Sequence, residues 1–345
     1  MRRHDVDWLR TIALGLLIVY HVSISFQPWA FLLGFIQNRD AIEGLWPVMS
    51  MVNVWRIPIL FLISGMGVRF AMERRNGGQL LADRTRRILL PLVFGSLVIC
   101  PISTLISLQF YGKDPSWVPN TGHLWFLANI YLYVLLTLPL LIYLRKRPDH
   151  PLFRWIGRGL ARPWLLALAA APLMLEAWLL DPQIFTLYVN TPHGLAMGLV
   201  CFLTGFVLVS VGAAFWQAAE RIRYFCLAGA VVLYTVRVFL FPSVGELNPV
   251  QALESMAWML GILGFGSRYL NRPSRALGWL SRAVYPVYIV HLPVQYGLSL
   301  LVIPLAMAAP LKWLLLLAGT FAVSLVIYRF LIRPVGWLRP LFGMT

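Results

Sequence analysis

An arginine and a histidine stand eleven residues apart in an apolar stretch near the start of the chain, Arg10 and His21. At 3.6 residues per turn this is close to three full turns, so a helix would carry both on one face about 16 Å apart. Asp7 falls one turn before Arg10 on nearly that face. A neutral imidazole can take a proton from a hydroxyl nucleophile and return it to a leaving group. A guanidinium at the end of the same stripe attracts anions. The pattern fits equally an imidazole that hydrogen-bonds to a neighbouring helix and an arginine that anchors a helix end.

Other polar residues interrupt apolar runs: Asn53, Arg56, Ser64, Glu176, Arg237, Glu254, Tyr285, Tyr288 and His291. Inside a bilayer each would be costly and a functional candidate. Arg56 stands two residues before Pro58, which leaves helix carbonyls without donors, so it could serve backbone or chemistry. His291 follows Tyr288 by three residues on roughly one face, as for a core hydrogen bond or a catalytic role. Ser64, followed by Gly65 and Gly67, reads as close helix packing, and no Gly-x-Ser-x-Gly elbow supports a serine nucleophile. His193, preceded by Pro192, reads as a helix cap, and His123 fits a cap or a sugar contact. Glu176 and Glu254 could orient His21 or meet acceptor hydroxyls. Cys100, Cys201 and Cys226 lie in apolar runs without ligand spacing, so neither a disulfide framework nor a metal site is expected.

The elements that must position these groups are membrane helices. Of 345 residues 59% are apolar and 12% charged, with a mean hydropathy of +0.74, against roughly 45–50% and about 25% in soluble domains. Apolar segments recur at 8–26, 46–70, 88–110, 123–144, 163–180, 193–216, 224–242, 250–267, 283–303 and 311–332. This predicts an all-α, polytopic transmembrane bundle of about ten helices forming one domain over 1–345. The first stretch lacks a small-residue cleavage site and is expected to be a retained helix rather than a signal peptide. With a cytoplasmic N-terminus, 24 of the 29 Lys and Arg fall in inward tracts and only Arg39, Lys113 and Lys312 in outward loops, so both termini are expected in the cytoplasm. The net charge of +16 is spread between spans rather than gathered on one solvated face, which argues against a nucleic-acid partner. Trp29, Trp46, Tyr111, Trp117 and Tyr188 suit an outer aromatic belt.

Several stretches together resemble the membrane-bound acyltransferase-3 family. "DVDWLRTIALGLLIVYH" is similar to its first-helix signature and "NVWRIPILFLISG" to its second, with Phe61, Ser64 and Gly65. "RTRRILLP" carries its Arg-x-x-Arg as Arg84 and Arg87, and "GHLWFL" and "YPVYIVHLP" resemble its fourth and penultimate helices. Within the family, "WRIPILFLISG" and "WLRPLFG" look closest to the periplasmic-glucan succinyltransferase branch. Ile332-Arg333-Pro334 departs from the family's Glu-Arg-Pro or Glu-Lys-Pro ending and removes one candidate acid.

The resemblance implies an O-acyltransferase of a bacterial-type inner membrane. It would move an acyl group from cytoplasmic acyl-CoA to a hydroxyl of an extracytoplasmic or lipid-linked glycan. No cofactor would be permanently bound; acyl-CoA is a co-substrate, and the other partners are the glycan or glycolipid acceptor and membrane lipids. Arg10, Arg84 and Arg87 would hold the polyanionic CoA, His21 would act as base, and Arg56 or Tyr285 and Tyr288 would meet the oxyanion. His291 is a further catalytic candidate, and His123 and Glu176 are acceptor-binding candidates. The alternative is a glycan or lipid exporter that performs no covalent chemistry.

Overall fold

The computed structural model describes residues 3–240 and 247–344; Arg2 of the first inward tract and Pro242 at an expected span end lie outside them. The described residues are helical throughout their regular structure, without strands. Ten long rods follow one another: α1 His4–Ile24, α2 Leu45–Ala71, α3 Gly77–Phe110, α4 Gly122–Arg145, then, after the short amphipathic α5 Pro151–Gly159, α6 Pro163–Leu180, α7 Pro192–Ser210, α8 Ala213–Leu240, α9 Asn248–Tyr269, α10 Arg275–Val302 and α11 Ala309–Ile332, with a last turn α12 Leu338–Leu341. Eight of them are long and apolar enough to cross a membrane. The other two, α9 and α10, have 22 and 28 residues, ample for the about 20 that a crossing needs, but carry more polar groups. Large apolar side chains such as Leu136, Phe225, Leu301 and Phe330 are left uncovered; lipid rather than water is the solvent they fit. The chain is a multi-pass membrane protein.

Several boundaries differ from the sequence expectation: α3 begins at Gly77 rather than 88, and α10 at Arg275 rather than 283. The span expected at 193–216 ends at Ser210, because Gly212 takes a φ of 78° that only glycine adopts without strain. The next helix therefore begins at Ala213, and Arg221 and Arg223, expected in an inward loop, lie on α8 itself.

The chain divides into two compact units, one of Met1–Ala13, Ser50–Leu81 and Leu132–Ser274, the other of Leu14–Met49, Ala82–Tyr131 and Arg275–Thr345. In the first, α2 and α7 meet backbone to backbone: a Cβ on Gly65 would run into the Phe202 carbonyl, and one on Gly205 into that of Leu62. Small residues allow such approaches where no water drives helices together. Arg237 of α8 grips Glu254 of α9 in a two-pronged ion pair, Nε to Oε2 at 2.6 Å and Nη2 to Oε1 at 2.9 Å, and donates to Ser50 Oγ at 2.8 Å. Two of the charges placed inside spans by the sequence thus neutralise one another. In the second unit, Lys312, expected in an outward loop, is buried and donates to the Ile303 carbonyl at 2.6 Å, satisfying a carbonyl just past the end of α10.

Gly65→Leu should overpack the α2–α7 contact by about 1–3 kcal/mol, because the obstacle is backbone and cannot swing away. A lowered thermal midpoint of the detergent-purified protein is the expected reading; an unchanged midpoint would mean that the helices do not meet there.

Candidate active site

Prolines inside the rods shape the site. Proline has no N–H, so the carbonyl four residues earlier loses its helical donor, and in hydrocarbon such a group must find another partner. Pro293 releases the carbonyl of Ile289 on α10, and His123 Nε2 donates to it at 3.1 Å and to the Tyr288 carbonyl at 3.1 Å. Tyr288 returns the contact: its hydroxyl donates to the His123 carbonyl at 2.6 Å. His123, at the start of α4, is thereby clamped to α10 at both its ring and its backbone, with Cys100 Sγ 3.9 Å from Nδ1.

On the same stretch of α10, His291 is completely buried. Its Nδ1 lies 2.6 Å from the Tyr288 carbonyl and its Nε2 lies 2.9 Å from His21 Nδ1. The two imidazoles are tilted by only 10° with centroids 5.2 Å apart. That separation is far too wide for face-to-face stacking with atoms 2.9 Å apart. The rings instead lie edge to edge in nearly one plane, so that an N–H of one points along the lone pair of the other. One turn further along α10, Gln295 Nε2 donates to the carbonyl of His21 itself at 2.9 Å and reaches Ser25 Oγ at 3.4 Å. Residue 21 is thus held by ring and by carbonyl from a single face of α10, where Tyr288, His291 and Gln295 recur at helical spacing. Phe35 and Tyr296 pack beside it, the Phe35 ring 5.7 Å from His21 and 5.5 Å from Tyr296.

Two of the three expected oxyanion donors, the tyrosines, hydrogen-bond to backbone carbonyls. The Tyr288 hydroxyl is on the His123 carbonyl, and that of Tyr285 donates at 2.9 Å to the Arg87 carbonyl, which Pro91 has released. Tyr288 contributes to this site by its carbonyl as well as its phenol. Arg87 also pairs with Asp83, Nε to Oδ1 at 3.0 Å. Arg84 and Arg87 border and occupy a widened π turn, Thr85–Leu89, a distortion frequent at functional sites. Gly343, at φ 68°, packs against this point: a Cβ there would enter the Tyr285 ring and stand 3.0 Å from the Arg87 carbonyl. The tail motif and the Arg-x-x-Arg motif therefore belong to one piece of structure.

In the first unit, Arg10 lies beside Gly67, whose missing side chain leaves room for the guanidinium: a Cβ would be 3.3 Å from Nη2. Buried Arg56 donates to Asn53 Oδ1 at 3.2 Å. The Val54 carbonyl released by Pro58 goes to the Tyr188 hydroxyl at 3.3 Å, so the tyrosine does the backbone duty open to Arg56 in the sequence. Glu176, an expected acceptor contact, is buried against His193 with Oε1 2.8 Å from Nδ1. His193 is not the cap of α7. Thr191 is, its hydroxyl accepting from the Gly194 N–H at 3.0 Å, while the His193 ring spans from Glu176 to the Phe185 carbonyl at 2.9 Å. Cys100, Cys201 and Cys226 are free and buried, and no cluster of three or more metal-ligating side chains occurs among the described residues.

A family model described as an acyltransferase domain matches residues 3–329, nearly the whole chain. The chain belongs to the acyltransferase-3 family. No curated protein and no solved structure matches it. As a member of that family the chain is a membrane acyltransferase, and every residue of the His21–His291–Gln295 cluster falls within the matched region. Reasoning from the sequence missed Gln295 and Ser25. Gln295 follows His291 by four residues in an apolar run, the spacing that puts two side chains on one helix face, and that signal was available.

His123→Leu is expected to cost about 1–3 kcal/mol of stability by stranding the Ile289 carbonyl. Thermal unfolding in detergent checks this, and an unaltered midpoint would show that the clamp is idle.

Proposed function

We propose that this acyltransferase takes its acyl group from cytoplasmic acyl-CoA and delivers it to a hydroxyl of an extracytoplasmic or lipid-linked glycan, with His21 as general base. The observation that carries the reading is the in-plane hydrogen bond at 2.9 Å between His21 and buried His291. An imidazole oriented this way by a neutral acceptor is prepared to take a hydroxyl proton and return it to a leaving thiolate. On the donor side, Arg84 and Arg87 at their widened turn and Arg10 eleven residues before His21 on α1 offer guanidinium groups suited to the phosphates of CoA. The charge asymmetry between the two sets of loops supports cytoplasmic termini and a multi-pass position in a bacterial-type inner membrane. The motifs "WRIPILFLISG" and "WLRPLFG" favour a glucan acceptor and a succinyl donor.

Mass spectrometry of cell-envelope glycans from strains carrying the parental chain, His21→Ala or no copy is the direct test. The acyl mark should be present only with the parental chain, while His21→Ala protein still reaches the membrane in normal amount. Replacing Arg84 and Arg87 together by Gln should raise the KM for acyl-CoA by about tenfold or more. A mark that persists in the His21→Ala strain would remove the assigned base.

A further inference from the structure

The hydrogen bonds around His21 do more than place it, because they decide which of its nitrogens is the base. A carbonyl oxygen can only accept. His291 Nδ1, 2.6 Å from the Tyr288 carbonyl, therefore carries the proton of that ring, and in neutral His291 the lone pair sits on Nε2. That lone pair faces His21 Nδ1 at 2.9 Å, so His21 must donate from Nδ1, and its own lone pair is left on Nε2. The order of protons along the chain is thus set at its far end by a backbone carbonyl.

We propose that His291 is a positioning residue that locks His21 in the tautomer protonated at Nδ1, making Nε2 the atom that abstracts the acceptor proton. His291 does not touch substrate; it acts through His21. Resting on the acyl-transfer reading, the chemistry runs as follows. The acceptor O–H proton passes to His21 Nε2 as the oxygen forms its bond to the thioester carbon. The resulting imidazolium keeps its Nδ1–H on His291 Nε2, which spreads the charge without a carboxylate. When the C–S bond breaks, Nε2 returns the proton to the CoA sulfur, leaving an ester, a thiol and a neutral His21. Gln295 fixes the main chain of the same residue through the His21 carbonyl at 2.9 Å. A wrong tautomer would present N–H where a lone pair is needed, an error that costs roughly 10⁴-fold where a buried carboxylate sets the tautomer.

Two measurements test this. Nitrogen-15 NMR of histidine-labelled parental protein in lipid nanodiscs, with His21 assigned by difference against His21→Ala, should give a protonated Nδ1 and a pyridine-type Nε2. The opposite pattern overturns the inference, and this measurement needs no variant of His291 to fold. The second is CoA release from acetyl-CoA and succinyl-CoA in vesicles carrying the glycan that the parent modifies. His291→Leu, which removes the acceptor, should lower kcat by about 100-fold or more with KM for the donor little changed. His291→Gln, which offers an amide oxygen to Nδ1–H, should recover the rate to within about tenfold of the parent. Equal loss in both variants, or parental rates in His291→Leu, overturns the positioning role. If the parent releases no CoA, the acyl-transfer reading fails while the NMR pattern still decides the tautomer. If the parent is active and His21 carries its proton on Nε2, acyl transfer stands and this inference does not.

Discussion

A helix in hydrocarbon has no water to rescue an unpaired carbonyl, and this chain puts prolines inside its rods. Each such proline leaves a carbonyl four residues earlier without its helical donor. At four of them a side chain from elsewhere in the same unit supplies the donor: Tyr188 on Val54, Tyr285 on Arg87, Trp117 on Leu97 at 3.1 Å, and His123 on Ile289. A local break in one helix becomes a specific bond between elements, which is how loops and rods that share little apolar pattern are brought into register. The apolar faces alone could not do this, since lipid solvates them as well as another helix would.

The His21–His291–Gln295 cluster grows from that constraint. Pro293 opens α10 just after His291 and releases the Ile289 carbonyl, and that carbonyl and the neighbouring one of Tyr288 accept from imidazole N–H groups. Two histidines use them, from α4 and from α10 itself. One is thereby a clamp and the other an orienting group for His21. The division of labour follows from what each ring faces: His123 Nε2 meets only backbone carbonyls, whereas His291 Nε2 faces the His21 ring. The Tyr288 hydroxyl, attractive as an oxyanion donor, is part of the same clamp.

The buried ionisable groups follow a comparable logic in the first unit. Arg237 with Glu254, and Glu176 with His193, are each matched within hydrogen-bonding distance. A lone charge there would be prohibitive, while a well-made pair is tolerable. Such pairs look like chemistry in a one-dimensional reading, because any ionisable group in an apolar run does. Only the tertiary structure shows which partner each group takes.

The sequence by itself determined the solvent, the number of long rods, the family and the face of α1 that carries Arg10 and His21, because hydropathy, length and helical period are local properties summed along the chain. It also exposed the prolines and every histidine of the cluster. What it left open was which donor each released carbonyl takes and whether the tyrosine hydroxyls are available, and it took His193 for the cap of α7 where Thr191 caps and His193 faces Glu176. Those are questions of which atoms lie within about 3 Å of one another, across separations such as the 270 residues between His21 and His291. Periodicity carries no information at that range, so tertiary structure alone decided them, and with them the nitrogen of His21 that holds the lone pair.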